Sequence, residues 1–122
     1  MGYYDNYCKV DVLKGKTLAS LVDNGNELVF KTTDGETYRM FHEQDCCEHV
    51  RIEDIVGELE DLVDSEILIA EEVDGESPAD FEAYESYTWT FYKFATRKGY
   101  VDIRWLGESN GYYSESVSFI KD

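Results

Sequence analysis

The 122-residue chain is short of cations: 11 lysines and arginines stand against 27 aspartates and glutamates, a formal charge of −16 at pH 7. Such a surface repels phosphate backbones and anionic lipid and attracts cationic surfaces, which argues against direct binding of DNA or RNA. No apolar run approaches the ~20 residues of a membrane-crossing helix. The opening Met-Gly-Tyr-Tyr-Asp lacks the basic and apolar regions of a signal peptide, so the expected compartment is the cytoplasm. There the three cysteines, Cys8, Cys46 and Cys47, stay reduced, and an odd count with an adjacent pair makes a poor disulfide framework. Proline occurs once, at Pro78. Also missing are the P-loop, G-x-G-x-x-G and H-E-x-x-H, and no cofactor is implied.

What is present is enough to fold. A composition that is 43% hydrophobic and 15% aromatic can fill a core despite the charge, and the length is that of one domain, residues 1–122. The charge is uneven. From His42 to Glu85 there are seventeen acids and one base, Arg51, whereas the remaining segments carry ten acids and ten bases. Solubility accounts for such a region, as does steering of a basic partner.

The first forty residues alternate β-compatible runs with Asn-Gly and Asp-Gly turns: "KTLASLV", "DNGN", "ELVFKTT", "DGET", "YRMFH". That is the pattern of a meander. Leu28 and Phe30 face one side of the second strand, Glu27, Val29 and Lys31 the other. From Ile52 the period changes. Ile52, Ile55, Val56, Leu59, Leu62 and Val63 make one stripe at helical spacing, with Glu53, Asp54, Glu58, Glu60, Asp61 and Asp64 outside it and Gly57 in the middle. An amphipathic helix is the expectation. "EILIAEE" then reads as a buried strand and "DGESPADFEAYES" as a loop.

The last third returns to strands in "YTWTFYKFAT", "VDIRWLG" and "YYSESVSFI", turning at "RKGY" and at Asn110-Gly111. Both faces of the first of these carry aromatics, as in a central strand or one covered on both sides. The architecture that follows is α+β: a twisted antiparallel sheet of about six strands with one amphipathic helix inserted midway.

Two stretches carry groups with possible chemistry. His42, Cys46, Cys47 and His49 are all transition-metal ligand types, but H-x3-C-C-x-H is not the usual paired spacing of a zinc site, and adjacent cysteines in an extended chain point apart. Buried cysteines beside surface histidines are the alternative. A Cys/His nucleophile needs a base in hydrogen-bond reach, and the negative surroundings oppose thiolate formation. The second stretch combines Arg104, Trp105, Tyr112 and Tyr113 around a hairpin tip. A guanidinium with stacking surfaces suits a nucleotide-like ligand, while turn geometry and sheet packing explain the same residues without one.

The blocks "TTDGETYRM", "FHEQDCCEHVRIEDIVGELEDL", "ESYTWTFYKFAT" and "KGYVDIRWLGESNGYYSESVSF" resemble a family of small acidic proteins from bacteriophages and prophages, known as a domain of unknown function. The resemblance spans about Lys14 to Phe119. It transfers no catalytic residue. It implies a protein acting in the cytoplasm of a host bacterium.

The expectation is a non-enzymatic binding protein whose acidic segment, residues 43–85, occupies a basic surface on a host protein, such as a nucleic-acid groove or a defence complex. Glu53, Asp54, Glu58, Glu60, Asp61 and Asp64 would supply the charge, in the manner of phosphates. The alternatives are a nucleotide-sequestering protein using Arg104, Trp105, Tyr112 and Tyr113, and a zinc protein using His42, Cys46, Cys47 and His49. Contact with a membrane is not expected, and an oligomer is possible.

Overall fold

Asn-Gly and Asp-Gly turn the chain where the meander requires it. Gly25 and Gly35 take φ of +97° and +92°, a region glycine enters without steric cost. The computed structural model describes residues 7–43, 48–75, 86–109 and 116–122. In these, strands β1 (Leu18–Asp23), β2 (Glu27–Thr32) and β3 (Thr37–Phe41) pair in sequence, and β8 (Ser118–Lys121) joins the free side of β3. A second sheet has the order β4-β7-β6-β5, built from His49–Val56, Gly99–Ser109, Ser86–Thr96 and Ile69–Gly75. All pairings within both sheets are antiparallel. The second order, a three-strand meander with an earlier strand returned beside its far member, is that of a Greek key.

The two sheets share one core. From the first come Leu28, Phe30, Tyr38, Met40 and Phe119, and from the second Val50, Tyr92, Phe94, Val101, Ile103 and Trp105. Phe30 meets Phe94 across the interface at 5.9 Å between ring centroids. The Trp105 indole N–H donates to the Met40 sulfur at 3.3 Å, which satisfies a polar group in an otherwise apolar layer. The alternation expected along β2 holds: Leu28 and Phe30 are buried, Glu27 and Val29 half-buried and Lys31 exposed. Strand β6 lies inside its sheet, with Tyr92 and Phe94 in the core and Trp89 and Phe91 half-exposed on the outer face.

The expected α+β architecture does not form. The described residues contain no α-helix, only 3-10 turns at Val10–Leu13 and Leu59–Leu62, and the sheets pack on each other rather than on a helix. The stripe from Ile52 to Val63 is divided between a strand and a turn. Pairing with β7 sets Ile52 opposite Trp105 and Asp54 opposite Arg104, so Glu53 is the extra residue of a β-bulge. A bulge shifts the alternation by one, which lets Ile52 and Ile55, three apart, both face the core. Gly57 then ends β4 at φ +101°, where an added Cβ would lie 2.4 Å from the Tyr100 carbonyl oxygen. "EILIAEE" does contain a strand, β5, but at an edge, with Ile69 and Val73 exposed.

Candidate functional site

The six acids of the expected helix lie instead along one border of the second sheet. Glu53 and Asp54 project from edge strand β4 and are exposed because the bulge places both outside. Glu53 is the compensated member of the group. Arg51 Nε donates to Glu53 Oε1 at 2.8 Å, and another nitrogen of Arg51 donates to Glu108 Oε2 at 2.8 Å. Asp54 stands opposite Arg104 in the β4–β7 register, and the Arg104 guanidinium lies 5.7 Å from the centre of the Phe91 ring.

The other four surround the 3-10 turn that follows Gly57. Leu62, fully buried, roots this turn in the core. Its backbone is clamped: Asp61 N–H donates to Glu58 O at 2.9 Å, Val63 N–H to Glu60 O at 3.1 Å, and Asp64 N–H to Leu18 O of the first sheet at 2.9 Å. The Thr96 hydroxyl donates to Asp61 O, and the Lys98 ammonium donates to Val63 O at 2.6 Å. With the backbone acceptors occupied, the carboxylates point away: Glu58, Glu60 and Asp64 are exposed and Asp61 is half-buried. Among the described residues no Lys, Arg or His lies within 4.0 Å of any of the four. They form a patch of like charge on a clamped backbone, without an ion-pair partner among the described residues.

The remaining candidates separate. Arg104 and Trp105 are neighbours on β7 and so point to opposite faces. Trp105 is in the core and Arg104 on the outer face, so the guanidinium and indole do not converge on one ligand. Tyr112, Tyr113, Cys46 and Cys47 lie outside the described residues. His49 is exposed at the start of β4, 4.0 Å from Glu108 Oε2. His42 is nearly buried, with Nδ1 2.6 Å from the Ser116 carbonyl and Nε2 2.7 Å from Glu48 Oε2. A carbonyl only accepts, so Nδ1 carries a proton. The other nitrogen shares one with the carboxylate, which leaves the ring no open lone pair. Among the described residues no three His, Cys, Asp or Glu side chains group as metal ligands would. Burial pushes the Cys8 thiol above its ordinary range, away from the thiolate that nucleophilic chemistry requires.

Sequence reasoning missed the His42–Glu48 pair, because the sequence between its members has no periodic pattern. It also treated the outward aromatics of β6 only as packing. Their signal was present in the strand's two apolar faces.

The fold and surface define an antiparallel two-sheet β protein with one acidic border. The chain belongs to the family described as Domain of unknown function (DUF7448), whose model matches residues 11–119. No curated protein and no solved structure matches it. No helix of the described residues is long and apolar enough to cross a membrane.

Proposed function

We propose that the protein is a non-enzymatic binding module that presents its acidic border to a basic surface of a partner protein. The observation that carries this reading is the turn at residues 58–64. Four carboxylates sit on a clamped backbone, and none has a cation within 4.0 Å among the described residues. A backbone already held in place loses little freedom on binding, and the −16 overall charge speeds encounter with a cationic surface. Glu53 and Asp54 extend the same border toward β4.

A nucleic-acid-binding or defence protein of a host bacterium is the partner class this chemistry fits. Its phosphate-binding groove offers lysines and arginines at backbone spacing, and carboxylates in a row displace the same counterions that phosphates do. The resemblance to phage and prophage proteins supports that setting. The test is affinity capture from bacterial lysate at low salt, with elution along a salt gradient. The native chain is compared with a variant carrying Glu58→Gln, Glu60→Gln, Asp61→Asn and Asp64→Asn. Capture of basic proteins that elute early in the gradient, and that the variant does not retain, is the expected result. Retention indifferent to salt or to the four replacements contradicts the proposal.

A further inference from the structure

The exposed face of an antiparallel sheet ordinarily alternates to polar residues. The outer face of the β4-β7-β6-β5 sheet departs from this, with exposed Val56, Ile69, Val73 and Tyr100, the last 74% accessible, beside half-exposed Trp89 and Phe91. These side chains fall in two groups, Tyr100 with Ile69 and Trp89 with Phe91 and Val73, on either side of the row that holds Asp102, Lys93 and Glu71, and exposed apolar groups gathered on one face mark contact sites. We propose that this face is where two copies of the chain pack together.

The choice of a second copy rests on charge and register. Two adjacent rows cross the face: Asp54–Arg104–Phe91–Val73 and Val56–Asp102–Lys93–Glu71. Between them they hold three carboxylates and two cations, a nearly neutral field on a molecule of charge −16. Two such molecules repel each other, so they can meet only where the field is locally balanced. A two-fold axis lying in the face between the rows, across the strands, superposes each row on the other. It sets Asp102 of each copy against Arg104 of the other, Lys93 against Phe91 and, on the two edge strands, Asp54 against Val56 and Glu71 against Val73, and it carries Tyr100 toward the Trp89–Leu106 pair. It also sends the two acidic turns to opposite ends.

The size is at the lower end for a specific interface. Strands β6 and β7 each run eleven residues. At ~3.4 Å per residue and ~4.8 Å between strands, the sheet face covers on the order of 600 Å², against the ~800 Å² per partner of a standard interface. This inference is independent of the acidic border, and its salt dependence has the opposite sign. Dimers of like-charged chains tighten as salt screens their repulsion, whereas a basic partner is released.

Sedimentation equilibrium of the full chain at low and high salt tests it. A dimer whose dissociation constant falls with added salt is expected. Tyr100→Asp with Val73→Asp should weaken it at least ~30-fold, on the scale of a hot spot, with the thermal midpoint unchanged at dilutions where both proteins are monomeric, because both side chains are exposed. Val22→Asp on the other sheet should leave it intact. Arg104→Asp alone and Asp102→Arg alone should each abolish the dimer, and an equimolar mixture of those two variants should restore it as a heterodimer. A chain that stays monomeric in all conditions overturns the proposal. So does a dimer that survives Tyr100→Asp with Val73→Asp, or a mixture of the two charge variants that does not associate.

Discussion

The outer faces of the two sheets use charge differently. On the β1-β2-β3-β8 sheet, charges are spent within the chain. Arg39 reaches Asp122 at 2.9 Å and Glu27 at 3.4 Å and lies 5.4 Å from the centre of the Phe41 ring. Beside it Glu36 accepts from Lys16 at 2.7 Å and Lys121 at 2.8 Å. On the second sheet, apolar side chains stand exposed, and the four carboxylates of the 58–64 turn lack an ion-pair partner among the described residues. A face whose charges are paired internally has little left to offer a partner. A face with exposed aromatics and a border of unpaired like charge retains both kinds of binding energy, apolar and electrostatic.

The sharpest way to break this comparison is to make one chemical change in both sheets. Gly57→Ala puts a Cβ 2.4 Å from the Tyr100 carbonyl oxygen at a left-handed backbone position. It should cost ~3 kcal/mol or more and displace the acidic turn from its sheet. Gly35→Ala, with nothing within 4 Å of the new methyl, carries only the left-handed penalty of ~1–2 kcal/mol. Thermal unfolding of the two variants checks the ranking, and equal losses would show that the turn is not held against β7 as described.

Leu62→Ala removes the fully buried anchor of the acidic turn and should cost ~3 kcal/mol. Amide exchange should accelerate across residues 58–64 before it does in β2 and β3.

A smaller effect concerns the first sheet and is read against pH. Hydrogen bonds from Lys121, then Lys16, then Tyr38 hold the Glu36 carboxyl down at about 2. Its folded value lies below the unfolded one near 4.5. The stability it contributes is therefore present above pH ~4.5 and is lost as pH falls toward 2. The difference in thermal midpoint between the native chain and Glu36→Gln should accordingly be constant near neutrality and shrink through that window. The smallest loss should come from Arg39→Ala: less than ~1 kcal/mol, because its ion pairs are partly exposed, and further reduced by salt.

Much of the first sheet was legible in the sequence, because Asn24-Gly25 and Asp34-Gly35 separate runs that alternate cleanly, and β1, β2 and β3 follow them. The helix failed for a local reason. Ile52 and Ile55 share a face through the bulge at Glu53, and Leu62 reaches the core from a 3-10 turn, so positions three apart mimic helical spacing without a helix. The β-branched character of Val50, Ile52, Ile55 and Val56 was the counter-signal. The exposure of the acids could be read from sequence because either conformation leaves them outside. Which of them are paired could not, since that depends on where Arg51, Lys98 and Arg104 are carried by the fold.

The most direct test of the contrast between spent and unspent charge is an NMR titration of the full chain with a short oligoarginine peptide at low salt. The account predicts that shifts concentrate at residues 58–64, fall off toward Asp54, and disappear as salt is raised, while Glu27, Glu36 and Asp122 stay silent. Shifts as large on the β1-β2-β3-β8 sheet as on the acidic turn would contradict it.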